Sequence, residues 1–498
     1  MSRRIAPVLI FACLLALAAA CGPFSPDTPT PATAPPTSLP LGEGSVTVVP
    51  APTVVVPPSS ADTATIAPAA ADTATLVPAD TATPVAAADT ATPVAAVMDS
   101  TATPPAAVGS TPLAEATAGP TTLAQLATIE SEAATLRGLQ PKRDVPEHFV
   151  SSAQIAVNLT KEINDDYSPT EGRRDALELW LLRLIPDRTV DLYQIQIDLL
   201  GEQVLGYYDP KTKELFIRSD QQPLGAEAQD TLAHEFVHSL QDEYYDLQKL
   251  RPSNSHSNDR DTAVTGLIEG DATVAQVQFA QRYMTPADMA TLMQGSANSS
   301  TAVLDKAPAY IRDSLIFPYD QGAQFVLTLQ QHGGYAAVNK AFADPPVSTE
   351  QILHPDKYLA GRRDLPLAVS LPPLTSTLGS GWTIRNEDTL GEFDLAALLR
   401  YNGVTNAAAA AAGWGGARFA LYQDDSAALV ILGTRWDTAN DATEFETALR
   451  RSFPPGIATG SLWTAGERTY GLRHSGSALT LISGTDAVAV QHALAAVK

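Results

Sequence analysis

The chain has 498 residues, of which 55 are acidic and 32 are basic, giving a formal net charge of −23 at pH 7. This charge argues against nucleic acid and anionic lipid surfaces as the main partner, because both attract basic proteins. The sequence contains 2 cysteines, both near the N-terminus, so a fold built on disulfides is excluded as well.

The first residues have the pattern of an export signal. Two arginines precede an apolar run from Ile5 to Leu17, and small residues then lead to Cys21. This order is typical of a secretory signal peptide, here residues 1–21. The ending "LAAAC" resembles a bacterial lipobox, which implies that Cys21 is acylated and becomes the new N-terminus. The alternatives are a signal cleaved elsewhere or a short transmembrane anchor. We expect an exported chain, anchored by lipid on the extracytoplasmic face of the cell membrane.

Residues 22–120 consist mainly of Thr, Pro, Ala and Val, in repeats such as "ADTATLVPAD". Prolines every few residues prevent regular hydrogen-bonded structure, and few apolar side chains are large enough to form a core. The sequence therefore predicts a disordered stalk between the anchor and the folded part.

Residues 121–374 are predicted to form a mainly helical domain. Apolar residues recur at intervals of three and four in "TTLAQLATIESEAATLRGL", "SSAQIAVNLTKEIN" and "GRRDALELWLLRLI". Two short β-rich runs, Val204 to Tyr208 and Glu214 to Arg218, flank an Asp-Pro turn and predict a β-hairpin. Helical patterns then continue to Leu250 and, after a polar loop, from about Thr262 to Arg282.

Residues 375–498 are predicted to form a small α+β domain behind a proline-rich connector. Strands are expected in "ARFALYQDD", "AALVILGTRWD", "GERTYGLRHSG" and "ALTLISG", with a helix in "TANDATEFETALRRSF" and another at the end. No catalytic cluster is visible in this part of the sequence. The predicted fold class of the whole chain is therefore α+β.

The stretch "TLAHEFVHSLQ" carries the strongest chemical signal. His234 and His238 lie four residues apart, so a helix presents both imidazoles on one face, and Glu235 is rotated by about 100° from His234. Two metal ligands would thus flank an ion with a base beside them, which is the H-E-x-x-H arrangement of zinc hydrolases. The alternative is an ordinary amphipathic helix that carries two histidines.

A third ligand is needed to complete such a site. A metzincin would have Gly and His where this chain has Gln241 and Tyr244, so that class is excluded. A gluzincin takes a glutamate from a second helix, and "GLIEGDATVAQ" offers Glu269.

Small residues beside Glu269 favour this choice. Gly270, Ala272 and Ala275 leave room for another helix to approach closely. The competing interpretation makes Glu269 a solvated charge and completes the site with Glu243 or Asp242.

The chain resembles a zinc metallopeptidase of the gluzincin type. The blocks "HEFVHSLQD", "IEGDA", "FPYDQG", "STEQILHP" and "GWGG" together also resemble an uncharacterised family of exported bacterial metallopeptidase-like proteins, over residues 125–450. The resemblance implies a zincin-like domain that binds Zn²⁺ through His234, His238 and Glu269. It further implies hydrolysis of a peptide or protein substrate by a zinc-bound water, with Glu235 as the general base.

The resemblance leaves the supporting residues open. An oxyanion donor is usual, and Tyr319 in "FPYDQG" or His354 in "STEQILHP" could supply it, although each could equally be structural. Many gluzincins place an aspartate four residues after the third ligand, where this chain has Thr273; Asp242 is then a candidate to orient a histidine. In such proteases a strand edge pairs with the substrate, which implies a role for Val204 to Tyr208 or simply support for the helix.

Two non-enzymatic alternatives remain. The first is a non-catalytic surface lipoprotein that keeps a structural zinc site and binds a partner through its C-terminal domain. An intact Glu235 favours catalysis over this alternative, because a structural zinc needs no base. The second, a solute-binding lipoprotein, predicts two similar lobes, and the sequence shows no such repeat. Substrate preference and oligomeric state stay open.

Overall fold

The computed structural model describes residues 116–200, 204–251, 257–298, 302–361 and 363–497. The predicted signal peptide, the acylated Cys21 and the stalk up to residue 115 lie outside the described residues. The first described helix begins at Pro120.

The first part of the fold is mainly helical, as the sequence predicts. Its elements up to residue 250 are α1 (Pro120–Arg137), β1 (Glu147–Val150), α2 (Ser152–Asp166), α3 (Pro169–Leu181), α4 (Leu192–Leu200), β2 (Gly206–Asp209), β3 (Glu214–Arg218), α5 (Ala226–Tyr245) and α6 (Leu247–Leu250). Those from residue 258 to residue 378 are α7 (Asn258–Tyr283), α8 (Pro286–Asn298), α9 (Ala302–Lys306), α10 (Ala309–Ala343), α11 (Thr349–Leu353), α12 (Pro355–Leu359) and α13 (Thr375–Leu378).

Local capping explains where several of these helices begin and end. At α3, Ser168 and Glu171 form a capping box in front of Pro169, which satisfies otherwise unpaired amides of the first turn. The predicted helix through Leu250 is interrupted, because Asp246 adopts a left-handed backbone with φ of 58° and caps α6 with its side chain. The histidine motif therefore lies on α5 alone.

The predicted β-hairpin is present and forms part of a small sheet. Strands β2 and β3 pair antiparallel, with Tyr208 opposite Leu215, and β1 adds to β3 in parallel, giving the order β1-β3-β2. Strand β1 is not predicted by the sequence. Strand β2 lies at the sheet edge and packs against α5, so the edge of the sheet runs beside the histidine helix.

Helices α5, α7 and α10 form the scaffold of the site. One hydrophobic cluster joins α1, the small sheet, α5 and α7; its buried members include Ile129, Ile217, Phe236 and Ala272. A second cluster joins α7 to α10 through side chains such as Leu267 and Phe325. The histidine helix is therefore enclosed by packed elements on most of its faces.

The C-terminal part is an antiparallel sheet with helices on both faces. Its elements are β4 (Thr383–Asp388), α14 (Glu392–Tyr401), α15 (Ala407–Ala411), β5 (Trp414–Gln423), β6 (Ala428–Trp436), α16 (Ala439–Ser452), β7 (Ile457–Thr459), β8 (Leu462–Ala465), β9 (Arg468–Ser475), β10 (Ala478–Gly484) and α17 (Ala487–Ala496). The strand order is β4-β5-β6-β10-β9-β8-β7. Helices α14 to α16 cover one face together with α3, and α17 covers the other.

The observed fold confirms the α+β class. The described strands and helices include the predicted C-terminal strand pairs β5–β6 and β9–β10, each antiparallel. Within the described ranges, no helix is both long enough and apolar enough to cross a membrane.

Candidate metal centre

The two histidines of α5 face each other across one helical turn. The Nε2 atoms of His234 and His238 lie 2.9 Å apart. Both side chains are buried, with 1% and 0% exposure, so bulk water does not solvate the pair. The predicted placement of both imidazoles on one helix face is confirmed.

Glu269 of α7 completes a group of three. Its Oε2 atom lies 3.3 Å from Nε2 of His234 and 3.5 Å from Nε2 of His238. The three ligand atoms all lie within 4.8 Å of one another, and all three residues are buried. The fold therefore brings together the three residues that the sequence predicts as ligands.

Hydrogen bonds do not satisfy the buried carboxylate of Glu269. Within the described part of the chain, neither oxygen has a hydrogen-bond partner of acceptable geometry, although the residue is 0% exposed. A buried charge of this kind is costly unless it is paired or coordinates a metal. The donor set of two imidazoles and one carboxylate is one that Zn²⁺ uses in catalytic sites.

A close helix crossing sets the position of Glu269. The neighbouring Gly270 meets the backbone of Gly322 on α10, where an added Cβ would stand 2.3 Å from the Gly322 carbonyl carbon and oxygen. Only glycine fits at such a crossing. The prediction that small residues here admit another helix is confirmed, and "FPYDQG" contributes the glycine on the other side.

A glutamine fixes the tautomer of His238. The Nδ1 atom of His238 lies 2.9 Å from Oε1 of Gln241. The Nε2 amide of Gln241 donates to Oδ2 of Asp271 at 2.8 Å and to the carbonyl of Ile268 at 3.0 Å. Both partners of the amide are acceptors, so the amide oxygen must face His238. His238 therefore donates from Nδ1 and presents a lone pair on Nε2.

A second glutamine does the same for His234. The Nδ1 atom of His234 lies 3.2 Å from Oε1 of Gln276, whose Nε2 amide donates to Oδ2 of Asp230 at 2.6 Å. This geometry again orients the amide oxygen towards the imidazole. Two Nε2 lone pairs and one carboxylate oxygen thus converge on a single point, which is the arrangement that a metal ion requires.

The protonation of the three residues reflects their mutual contacts. Burial would raise the pKa of Glu269, but the two imidazoles lower this pKa to about 2. Burial lowers the pKa of His234, and the neighbouring His238 lowers it further. Burial would also lower the pKa of His238, but the carboxylate of Glu269 raises it. Glu269 is therefore an anion at neutral pH, and a proton on His238 would compete with a metal ion.

Glu235 lies beside the three ligands on the same helix. Its side chain is 0% exposed, and its Oε2 atom accepts a hydrogen bond from the backbone amide of Tyr208 at 2.9 Å. Along the opposite edge of β2, the carbonyls of Leu205 and Asp209 accept hydrogen bonds from backbone amides of the β3 arm of the hairpin. The amide of Tyr208 therefore belongs to the open edge of the sheet, and this edge holds the glutamate.

The two predicted oxyanion donors have different surroundings. Tyr319 of α10 is half-buried, and its ring lies 6.4 Å from the His234 imidazole, at an interplanar angle of 26°. Nε2 of His354, by contrast, lies 2.8 Å from Oε1 of Glu392 on α14. The structure places Tyr319 beside His234 and pairs His354 with Glu392.

The acidic alternatives to Glu269 have other partners. Asp242 accepts from the Tyr208 hydroxyl at 2.8 Å and from Lys213, and Glu243 accepts from the amide of Lys142. The prediction that Asp242 orients a histidine is wrong, because its carboxylate is directed at the β2–β3 hairpin.

Sequence reasoning missed the two glutamines that orient the imidazoles. The signal was available: Gln241 follows His238 by three residues, and Gln276 follows Glu269 by seven, so each shares a helix face with a ligand.

A second group of carboxylates already has a cation. Glu350, Asp364 and Asp437 place ligand atoms within 4.8 Å of one another. The ammonium group of Lys357 lies 2.6 Å from Glu350, 3.2 Å from Asp364 and 2.9 Å from Asp437. A lysine therefore already occupies the position between these carboxylates and offsets part of their negative charge.

Comparison with known proteins gives one match. Residues 381–494, the C-terminal sheet and its helices, match a family described as "Domain of unknown function (DUF8575)". The chain matches no curated protein and no solved structure. The family match covers the C-terminal part of the chain and assigns no chemistry to the three ligands.

Proposed function

We propose that the protein is a membrane-anchored, zinc-dependent metallopeptidase of the gluzincin type, with a zincin-like domain over residues 121–374. One observation carries this proposal: two Nε2 lone pairs, fixed by Gln241 and Gln276, converge in a buried site with the carboxylate of Glu269, whose oxygens have no hydrogen bond of acceptable geometry among the described residues. Without a metal ion or a proton on His238, this arrangement would bring three electron-rich groups into contact.

Zinc suits this donor set better than the alkaline-earth metals. Two imidazoles and one carboxylate are ligands that zinc takes in catalytic sites, whereas Mg²⁺ and Ca²⁺ prefer oxygen ligands throughout. When bound, zinc supplies a Lewis acid that polarises a carbonyl group and makes water a nucleophile near neutral pH.

The proposed role of Glu235 is proton transfer. The carboxylate takes a proton from the attacking water as the C–O bond forms, and it gives this proton to the amine as the C–N bond of the peptide breaks. The hydrogen bond from the Tyr208 amide to Oε2 holds this carboxylate beside the ligands, where it can exchange the proton. Burial of Glu235 excludes bulk water from this transfer.

Tyr319 is proposed to stabilise the oxyanion. Its ring lies against His234, so the phenol belongs to an element that borders the ligands. A phenolic O–H can donate to an oxygen on which negative charge develops. His354 is left out of this proposal, because its contact with Glu392 directs it to α14.

The edge of strand β2 is the proposed seat of the substrate backbone. The backbone groups of Gly206 and Tyr208 point away from β3, next to α5. Because the Tyr208 amide already donates to Glu235, a substrate would pair with the backbone of Gly206 and the carbonyl of Tyr208. An extended peptide can add to such an edge by main-chain hydrogen bonds.

A second candidate function is favoured by the burial of the site. His238, Glu235 and Glu269 are each 0% exposed, which a structural metal site in a non-catalytic lipoprotein would also require. In this alternative, the zinc holds α5 to α7, and the C-terminal domain binds a partner.

The Glu235→Gln variant separates the two functions. The full chain loaded with zinc is offered a mixture of unfolded proteins, and new amino termini are counted. Metallopeptidase function predicts hydrolysis by the wild type and its loss in Glu235→Gln, with zinc content unchanged. Zinc binding without hydrolysis in the wild type would favour the structural role. Equal hydrolysis by both proteins would contradict the proposed role of Glu235.

The proposed lipid anchor has its own test. Cys21→Ser should release the protein from the membrane fraction into the soluble fraction, because the thiol that carries the acyl chain is gone. Membrane association that is unchanged in Cys21→Ser would contradict anchoring at this residue.

A further inference from the structure

Helix α1 carries a buried arginine into the centre of the fold. It follows the Thr/Pro/Ala segment and packs on the common core of α5 and α7 through Leu126 and Ile129. Its last residue, Arg137, is 0% exposed. Arginine is almost never fully buried unless it is paired, so its partners show what this residue does.

Arg137 joins α1 to α7 and α10. Its Nε atom donates to Oδ2 of Asp271 at 2.7 Å, and both side chains are 0% exposed. One terminal nitrogen donates to Oδ1 of Asn339 at 2.8 Å, and the guanidinium lies 4.7 Å from the ring centre of Tyr335. A buried charge-assisted hydrogen bond of this kind is among the stronger polar contacts in a protein.

The Asp271 oxygen that accepts from Arg137 also contacts the glutamine that orients His238. Oδ2 of Asp271 accepts both from Arg137 and from the Nε2 amide of Gln241, whose Oε1 faces Nδ1 of His238. Three consecutive contacts of 2.7, 2.8 and 2.9 Å therefore connect α1 to His238. Gln241 is itself 0% exposed, so solvent cannot replace any of these contacts.

We propose that Arg137 is a positioning residue of the metal site, and that α1 is thereby a structural component of that site. The guanidinium compensates the charge of Asp271 and holds its oxygen as an acceptor for Gln241. Gln241 in turn keeps His238 as an Nδ1 donor with a lone pair on Nε2. This inference rests on the metal site of the proposed function, and it adds control of that site by the segment next to the stalk.

The proposal is asymmetric between the two histidines. His234 is oriented by Gln276 and Asp230, and among the described residues no hydrogen bond links this pair to α1. Loss of Arg137 should therefore disturb His238 and leave His234 in place. A general loss of stability would disturb both.

Metal binding and the docking of α1 are then coupled. A ligand that binds better when α1 is docked must, by linkage, favour the docked helix to the same extent. A force or a cleavage that displaces α1 would weaken the hold on the metal. In this proposal, docking of the helix that follows the predicted stalk tunes metal affinity.

The test compares Arg137→Gln with Arg183→Gln in the full chain. Arg183 is a matched control: it is 4% exposed, donates to Ser452 and Asn402 at 2.9 Å and lies 5.5 Å from the ring centre of Tyr470. Zn²⁺ affinity is measured by competition with a chelator. Histidine ring ¹⁵N shifts report the tautomer of each imidazole.

The expected result is specific to one variant and one histidine. Arg137→Gln should weaken Zn²⁺ binding by about tenfold or more. It should also change the ¹⁵N chemical shifts of the His238 ring and leave those of the His234 ring unchanged. Arg183→Gln should change neither quantity. Unchanged affinity together with unchanged His238 shifts in Arg137→Gln would overturn the proposal.

A second variant covers the case in which Arg137→Gln does not fold. Arg137→Met combined with Asp271→Leu removes both charges, so no buried charge is left without its partner. This double variant should fold and bind Zn²⁺ about tenfold more weakly. Wild-type affinity in the double variant would overturn the proposal.

The same experiment distinguishes failure of this proposal from failure of the proposed function. If the wild type binds no Zn²⁺, the proposed function fails. The His238 shifts of the metal-free proteins then decide whether Arg137 positions the imidazole.

Discussion

Substitution of Gly270 tests the helix crossing that sets the position of Glu269. In Gly270→Ala, the new Cβ would stand 2.3 Å from the carbonyl carbon and oxygen of Gly322 and 2.8 Å from the amide nitrogen of Ala323. All three atoms belong to backbone, so no side chain can move aside, and α7 must separate from α10.

The matched control is Gly266→Ala, one turn earlier on the same helix. There the nearest atoms to the new Cβ are Cδ1 of Ile352 at 3.6 Å and Cα of Gly322 at 3.7 Å, which are ordinary contacts. Alanine in place of glycine stabilises a helix interior by about 1 kcal/mol in both variants. This gain cancels when the two variants are compared.

The difference between the variants then measures the clash. Overpacking a core costs about 1–3 kcal/mol, and contact with rigid backbone belongs at the upper end of that range. We expect Gly270→Ala to lower the free energy of unfolding by about 2 kcal/mol after its helix gain, and Gly266→Ala to raise it by up to about 1 kcal/mol. Urea denaturation of the zinc-free proteins measures both. Equal stability of the two variants would refute the close crossing.

Three further predictions address the ligands, the pH dependence and the oxyanion donor. Gln276→Met should weaken Zn²⁺ binding by about 10- to 100-fold, because His234 loses its orienting acceptor; Gln278→Met on the same helix is the control, and equal affinities would contradict the role of Gln276. Burial raises the pKa of Asp259 to about 8. The folded state therefore keeps a proton that the unfolded state releases above about pH 4, and the stabilisation is lost as the pH rises through about 8. Asp259→Asn should flatten this fall in unfolding free energy between about pH 5 and pH 8; a slope equal to that of the wild type would contradict it. Tyr319→Phe should lower kcat for peptide hydrolysis by about 100- to 1,000-fold without loss of zinc, whereas His354→Ala should leave kcat unchanged; the reverse pattern would exchange their roles.

The three candidate ligands could be predicted from sequence because helix geometry alone brings two of them together. The spacing of His234 and His238 specifies one face of one helix. Glu269 required a further assumption, that the next helix packs against this face, and the small residues beside it supported that assumption. The crossing partner Gly322 lies in another motif, and no periodicity links it to Gly270.

The side chain that orients the His238 imidazole could not be predicted from local spacing. Asp242 and Gln241 are neighbours on α5, and each lies about one helical turn after His238, so either side chain could contact its imidazole. The choice between them depends on the position of the β2–β3 hairpin, which takes Asp242 through the hydroxyl of Tyr208. This contact is tertiary and leaves no trace in local spacing.

The sheets show the same division between local and tertiary signals. The hairpin of β2 and β3 follows from two β-rich runs and an Asp-Pro turn, and it is observed. Strand β1, of 4 residues, exists because it pairs in parallel with β3 across a long stretch of chain. In the C-terminal sheet, β6 pairs with β10 rather than with β7, the next strand along the chain, and local sequence patterns do not specify this order.

The metal content of the purified full chain tests the central claim most directly. Elemental analysis is performed on the wild type beside Glu269→Ala and His238→Ala, after incubation with zinc and removal of the excess. The account predicts about one zinc per wild-type chain and loss of zinc in both variants, because three ligands hold the ion. A wild type without zinc, or zinc that remains in Glu269→Ala, would contradict the account.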